Sequence, residues 1–398
     1  MASLESIASL ADQKQKVEQY RNLLGSLVAA SDVDGLQGLI DHMLSESVPL
    51  VVSRQILLAF SQDINRLPPD TNKAVATYAL ERIQPRVVSY EEPVTTIREQ
   101  LAATLEAEED WAKAAQVLAG IDLDSGMRVL DNEYKLRQNI KIAMLYLEDD
   151  DAVNAEAFIK KAASLITSSK REDLELQYKS CYARILDSKR RFLEAATRYY
   201  ELSQVGGRSA GGEQVVGSDD LDEALAAAVT CCILAAAGPQ RSRVLANLYK
   251  DARVARLPSY GFLEKVYLER ILRPEEVAAF AQGLRPHQKA VTADGSTVLE
   301  RAVVEHNLAA AGRLYLNIYF AELGALLGVS ADKAEAVASR MIAENRLQGT
   351  IDQVEGLLRF NAGSEELLQW DEQIRGICGQ LNGILDRAAA KGLKLVEA

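Results

Sequence analysis

Apolar residues recur three and four positions apart through nearly every segment before residue 315, in a background rich in Ala, Leu, Glu, Lys, Arg and Gln. That spacing puts them on one face of an α-helix, whereas a half-buried strand needs strict alternation, and strand signals are nearly absent over this stretch. The helices also repeat. Trp111-Ala112-Lys113-Ala114-Ala115, Val153-Asn154-Ala155-Glu156-Ala157 and Phe192-Leu193-Glu194-Ala195-Ala196 lie 42 and 39 residues apart, each after a charged turn (Glu108–Asp110, Glu148–Asp151, Lys189–Arg191). Their small Ala pairs are expected to let two helices approach closely. A period of about 40 residues predicts stacked helical hairpins of the tetratricopeptide or HEAT kind, each burying its apolar face on its neighbours.

A chain of 398 residues is too long for one compact core, so two or three units or one extended array are expected. Val205-Gly206-Gly207-Arg208-Ser209-Ala210-Gly211-Gly212 reads as a flexible loop and sets a boundary between a helical-repeat arm (1–205) and a further helical stretch (206–314). That stretch is interrupted from Arg285 to Thr297, where Pro286 and the Asp294-Gly295 pair predict a protruding hairpin near 286–298. From Tyr315 the texture changes. A β-prone run (Leu316–Tyr319) leads into helix Phe320–Leu327, a turn at Gly328, a helix capped by Ser330 and running to Glu344, then Leu347–Ile351, a turn at Asp352-Gln353, and Val354–Phe360. Strand, helix, turn, helix, hairpin is the order of a winged helix, here over 315–361. A terminal helix within 364–398, opening at Ser364, carries Leu367, Leu368, Ile374, Ile377, Leu381, Ile384 and Leu385 on one stripe. The expected fold is therefore mainly α: a helical-repeat superhelix, a winged-helix domain with a small antiparallel sheet, and a C-terminal helix that needs a partner.

Composition narrows the function. Hydrophobic residues at 48%, charged residues at 26%, and only 24 Gly and 9 Pro exclude a disordered or fibrous chain. A net charge of −12 discourages attraction to nucleic acid or anionic lipid and favours protein partners. The start, with acids and lysines at helical intervals, lacks the order of a signal peptide, and the most apolar run, Ala224–Gly238, falls short of the ~20 residues of a membrane span. Cys181, Cys231, Cys232 and Cys378 show no disulfide spacing, and the adjacent Cys231 and Cys232 read as packing residues in a reducing, cytoplasmic and nuclear setting. The three histidines, His42, His287 and His306, are unpaired in sequence, so neither an HExxH nor a two-histidine metalloprotease site is expected.

Three short motifs have bland readings. Gly207-Arg208-Ser209-Ala210-Gly211 satisfies GxSxG but lacks the strand-to-helix turn a nucleophile needs, so it reads as linker. Lys189-Arg190-Arg191 is a solvated turn rather than a nuclear-localisation signal, and Gly379-Gln380-Leu381-Asn382-Gly383 a soluble helix contact rather than a membrane dimer motif. A winged helix raises nucleic-acid binding. Its second helix, however, carries Asp332, Lys333, Glu335, Arg340 and Glu344, whereas a groove reader should be basic.

The segment Tyr319-Phe320-Ala321-Glu322-Leu323-Gly324-Ala325-Leu326-Leu327-Gly328-Val329-Ser330, with Ala334-Glu335, Met341-Ile342-Ala343-Glu344 and Gly349-Thr350-Ile351-Asp352, resembles the winged-helix half of PCI domains. Pro286-His287-Gln288-Lys289-Ala290, Ala293-Asp294-Gly295-Ser296, Glu305-His306-Asn307-Leu308 and Asp352-Gln353-Val354-Glu355-Gly356 narrow the resemblance to the subunit-four family of the COP-nine signalosome. The likeness is densest over 285–360, weaker over 90–200, and slight in the first 80 residues. It implies an α-superhelical arm, a PCI module that packs on sister PCI modules, and a C-terminal helix in a shared bundle. The implied assembly removes a ubiquitin-like modifier from the cullins of cullin-RING ligases, with the catalytic metalloprotease in another subunit. The chain is thus expected to be a non-catalytic scaffold without cofactor or metal, partnering other PCI subunits and the metalloprotease pair, not nucleic acid or membrane. Thr350 and Ile351 on the wing edge, with Leu381, Ile384 and Leu385 on the last helix, are the expected partner-binding residues. Gln288, Lys289, Asp294, Gly295 and Ser296 are the expected regulatory hairpin. The alternatives are a PCI subunit of the proteasome lid and a winged-helix nucleic-acid-binding protein.

Overall fold

Four helix-to-helix turns share one form, a residue with left-handed backbone followed by a helix cap. The structure, a computed structural model, describes residues 12–124, 130–167, 171–205, 217–291, 295–360 and 365–390, with a few isolated positions besides. The Gly-rich segment with its serine motif, Asp294 and Ser364 lie outside the described residues, as do the side chains of Leu367 and Leu368. Ser31, Glu109, Asp150 and Arg190 have φ of 52°, 62°, 59° and 61°, and each directly precedes an N-cap (Asp32, Asp110, Asp151, Arg191). At three of these turns the cap's own N–H reaches back five residues to close the previous helix: Asp32 to Leu27 O (3.2 Å), Asp110 to Leu105 O (3.0 Å) and Asp151 to Tyr146 O (2.8 Å). The same aspartates then accept from the next helix, Asp151 Oδ1 from the N–H groups of Val153 and Asn154 at 3.1 and 3.0 Å. One residue ends a helix and starts another.

This turn sets a register that differs from the one read off the Ala pairs. Helices start at Trp111, Ala152 and Phe192, so the spacings are 41 and 40 rather than 42 and 39. The aligned small residues are Ala114, Ala155 and Ala195, all fully buried. In the middle copy the next position is Glu156, which pairs with Lys160 and Lys189, and Ala157 faces solvent, so the expected Ala pair is a single Ala there. A further copy, Ser31-Asp32-Val33, sits two periods upstream, in the region where the sequence alone showed no repeat.

Two compact units divide between Lys189 and Arg190. The first contains α1 (Gln13–Ala30), α2 (Val33–Leu44), α3 (Leu50–Asp63), α4 (Pro69–Ile83), α5 (Glu91–Ala107), α6 (Trp111–Ala119), α7 (Asn132–Glu148), α8 (Ala152–Ile166) and α9 (Glu172–Ser188). Their apolar faces meet in one continuous core that includes Tyr20, Leu36, Ile56, Ile97, Leu136 and Ile159.

The second unit begins with α10 (Phe192–Ser203), which packs along α11 (Ser218–Leu234), followed by α12 (Pro239–Lys250), α13 (Tyr260–Tyr267), α14 (Pro274–Gln282) and α15 (Val298–Leu314). Then come β1 (Asn317–Tyr319), α16 (Phe320–Leu327), α17 (Ala331–Ala343), β2 (Gly349–Asp352), β3 (Leu357–Phe360) and α18 (Glu365–Ala390). The sheet is antiparallel in the order β1-β3-β2, which with α16 and α17 makes the winged helix. Its core joins Ile318, Phe320, Leu323, Met341, Leu358 and Phe360 to Leu308 of α15. The turn from α16 to α17 is tight: a Cβ on Gly324 would stand 2.7 Å from the Val329 carbonyl oxygen, and Gly328 has φ of 70°.

Three consecutive residues of α15 tie this unit together. Glu305, with 1% of its side chain exposed, accepts from Arg301 Nε (3.2 Å), from Arg340 Nη2 of α17 (3.2 Å) and from Arg346 Nη1 (2.6 Å). Arg346 also donates to the Ala237 carbonyl at 3.2 Å, which brings the segment before α12 onto the same knot. Burial alone would raise the Glu305 pKa, but the arginines, Arg346 foremost, outweigh it and hold the carboxyl below its ordinary range. His306 Nε2 lies 2.9 Å from the Arg270 carbonyl and so carries the proton there. Burial, reinforced by the charge of Arg241, pushes its pKa down to about 4, so the ring is neutral. Asn307 accepts from Leu272 N–H (2.9 Å) and donates to Leu272 O (3.2 Å), pairing the loop before α14 as a strand would.

Removing one partner of a buried ion pair strands the others without countercharge, at a cost of about 3 kcal/mol. Glu305→Gln should therefore lower the stability of the second unit by roughly that amount at neutral pH. Because the folded carboxyl titrates below the unfolded one, its contribution is fully present above about pH 4.3 and is lost as pH falls through the folded value. Hydrogen exchange across α15 and α17 should show the Gln variant opening faster at pH 7, with the gap to wild type closing in acid. Equal protection at pH 7 would mean that the arginines do not depend on Glu305.

Candidate assembly surfaces

The sheet of the winged helix is open at both edges, and its ladder decides which amides are available. Phe360 N–H bonds to Leu316 O (2.8 Å) and Phe320 N–H to Gly356 O (2.9 Å), so the backbone groups of Gly356, Leu358 and Phe360 point toward β1. Alternation along the strand turns those of Leu357 and Arg359 toward β2. Thr350 faces Arg359 and Asp352 faces Leu357, so both spend their backbone groups on the ladder, whereas Gly349 and Ile351 direct theirs outward. Of the two expected wing-edge residues, Ile351 carries the outward amide, while Thr350 offers only its exposed side chain. The opposite edge is framed by exposed Leu314, Tyr315, Leu316 and Tyr319, and Val354 at the wing tip is 97% exposed.

Helix α18 presents the described part of its stripe to solvent. Trp370, Ile374, Ile377, Leu381 and Ile384 follow one another at steps of four, three, four and three, with Leu385 beside them, and each is 39–64% exposed. That alternation is the 3.5-residue repeat of a helix-bundle seam, narrower than the stripe of a helix lying on a globular core. Trp370 belongs to the seam although the sequence reading passed over it. Gly376, Gly379 and Gly383 weaken the helix by up to about 1 kcal/mol each relative to Ala. Gly379 lies on the side of the helix away from the seam, so the GxxxG spacing is not itself the contact.

The segment expected to be a regulatory hairpin is more firmly built than a surface excursion. Pro286–Lys289 is a 3₁₀ turn, Val291 bridges Thr297, and Gly295 has φ of 73°. Gln288 and Ser296 are buried, and Gln288 Oε1 accepts from Arg285 N–H at 3.2 Å. Thr297 caps α15 through reciprocal bonds with Glu300 at 3.1 and 2.9 Å. Gln288 and Ser296 therefore hold the base of the hairpin, while Lys289, Val291 and Gly295 are exposed and Asp294 falls outside the described residues. That a polar Gln would be interior is not legible in the residues, because its partner is a backbone group.

The winged helix offers little to nucleic acid. Arg340 is turned inward onto Glu305, leaving Asp332, Lys333, Glu335 and Glu344 as the polar face of α17, and Arg359 is flanked by Asp352 and Glu355 at 3.7 and 3.6 Å. His42 bonds the Tyr20 hydroxyl at 2.9 Å and His306 a backbone carbonyl. Among the described residues no three His, Cys, Asp or Glu side chains gather as a metal site, and no helix is long and apolar enough to cross a membrane. Cys181, Cys231 and Cys232 are buried, Cys378 is exposed, and burial pushes Cys181 and Cys232 up to about 12.

The family described as PSMD12/CSN4, N-terminal, matches residues 1–207, and the PCI domain family matches residues 284–362. A protein named COP9 signalosome complex subunit 4 from Arabidopsis thaliana is 56% identical, covering 99% of each chain. Proteins of the same name from Dictyostelium discoideum and Drosophila melanogaster are each 46% identical, covering 96% and 94% of this chain and 95% and 90% of their own. Identity at this level over nearly the full length of both chains fits neither a lid subunit nor a nucleic-acid binder, and the chain belongs to the COP9 signalosome complex subunit 4 family, with a PCI domain in its C-terminal half.

Proposed function

We propose that this chain is a scaffold and regulatory subunit of a COP9 signalosome, without catalytic activity of its own, and that it serves the removal of a ubiquitin-like modifier from cullins of cullin-RING ligases. The observation that carries the reading is α18, an exposed heptad seam on a chain whose relatives from Arabidopsis thaliana, Dictyostelium discoideum and Drosophila melanogaster are named as signalosome subunits. In this reading residues 1–205 form the arm, 206–361 the PCI domain with its winged helix, and 364–398 the bundling helix and tail. The other PCI subunits pair with the open sheet edges, the metalloprotease pair lies near the hairpin at 286–298, and the assembly works in cytoplasm and nucleus.

Burying a Leu or Ile contributes about 1.5–3 kcal/mol, so two seam residues supply most of what a stable bundle contact requires. Leu381→Asp with Ile384→Asp should release the tagged chain from its sister subunits while its own unfolding shifts by less than about 0.5 kcal/mol, since both side chains are exposed. Co-purification at wild-type yield sinks the bundle.

Strand addition at β2 is tested at Ile351, the one of the two expected wing-edge residues whose amide points outward. Ile351→Pro removes an outward donor and leaves the β2–β3 ladder intact, whereas Thr350→Pro breaks the ladder itself. The expected result is weaker assembly with a native far-UV spectrum for the first, and a damaged fold for the second. Undiminished assembly of a folded Ile351→Pro chain excludes this edge.

The hairpin tip is proposed to bias the metalloprotease toward its resting state. Replacing residues 291–295 with a Gly-Ser link, keeping Gln288, Ser296 and Thr297, should leave the complex assembled and raise basal deconjugation. A contact of ~1.4 kcal/mol corresponds to about tenfold where the active state is rare. The isolated chain should show no turnover in the same assay. Wild-type rates on every substrate in the assembled variant would make the tip a plain surface loop, and turnover by the isolated chain would overturn the non-catalytic reading.

A further inference from the structure

The chain carries net charge −12, yet residues 239–273, which hold α12 and α13, contain eight Lys or Arg against three Asp or Glu. Three of the eight are used within the fold. Arg241 is buried and donates to the carbonyls of Cys232 and Ile233, Arg253 pairs with Asp251, and Lys265 pairs with Glu276. Arg243, Lys250, Arg256, Arg270 and Arg273 are exposed, and among the described residues none makes an ion pair. Arg243 and Lys250 lie two turns apart on one face of α12.

The same two helices carry a tyrosine stack. Tyr249 of α12 stacks on Tyr267 of α13, ring centroids 4.3 Å apart at 17°, and on Tyr260 at 6.1 Å and 8°. Its hydroxyl hydrogen-bonds Tyr260, and the charges of Glu264 and Arg270 both act on it. All three rings are half-buried. An aromatic stack on helices that also bear exposed guanidinium and ammonium groups without ion pairs is suited to carboxylates.

We propose that the α12–α13 surface docks an acidic peptide segment of a partner protein, a run of Asp and Glu side chains laid along Arg243, Lys250 and Arg270 beside the tyrosine stack. One observation favours a peptide over a nucleic acid. The surrounding chain, net negative once this stretch is set aside, repels a long polyphosphate but not a short segment that stays within about 8–10 Å of the patch.

The test is fluorescence anisotropy on the full chain at near-physiological salt. The probes are a short labelled peptide of alternating Asp and Glu and a single-stranded RNA of equal charge. The triple variant Arg243→Glu, Lys250→Glu, Arg270→Glu should bind the peptide at least about tenfold more weakly than wild type, as reversal of three exposed charge contacts would give. The variant Lys14→Glu, Lys16→Glu, Arg21→Glu, with the same change in net charge elsewhere, should bind like wild type. Circular dichroism confirms that both variants are folded, and Arg243→Lys with Arg270→Lys should retain binding if a triple variant proves unstable. Three outcomes overturn the proposal: no binding of the peptide by wild type, equal loss in both triple variants, or tighter binding of the RNA, which would make the surface a nucleic-acid site.

Discussion

Glu305 is held by three arginines from α15, α17 and the turn before β2, and one of these, Arg346, also grips the segment before α12. Placing a carboxylate where 1% of it meets solvent costs several kcal/mol, and only this set of donors offsets that cost. The winged helix can thus sit on the helical layer in one orientation only, because any other leaves a buried charge unmatched. His306 and Asn307 extend the same device to the loop before α14 through backbone carbonyl and amide groups. A polar knot of this kind adds less stability than apolar packing would, and its contribution is specificity of orientation.

The same knot joins α15 to the sheet, and through the hairpin base at Gln288 and Thr297 it fixes the exposed Val291 and Gly295 on that frame. Helix α18 is the reverse case. Its seam is exposed, three glycines lie within the helix, and nothing among the described residues covers it.

The first unit is specified differently. Its turns reuse one solution, a left-handed residue followed by an Asp cap, which costs conformational strain at Ser31, Glu109 and Asp150 that Gly would relieve. The caps offset part of that cost, and the buried Ala114 and Ala155 allow the helices so started to pack.

The helices, the Ser330 cap, the order of the winged helix and the apolar stripe of α18 were legible in the residues because each is a local matter: period, cap chemistry and turn chemistry act over a few positions. Even there, the repeat register was misread by one residue, since Ala spacing is a weaker signal than the aspartate that closes the turn. Only the tertiary structure decided that Thr350 spends its amide on the ladder while Ile351 turns its amide outward, because strand pairing with Arg359 and Leu358 sets that direction. It alone placed Gln288 inside, gathered Arg301, Arg340 and Arg346 on one carboxylate, and stacked Tyr249 on Tyr260 and Tyr267. These arrangements join residues brought together by packing, and no local period records which distant charge or amide a side chain will meet.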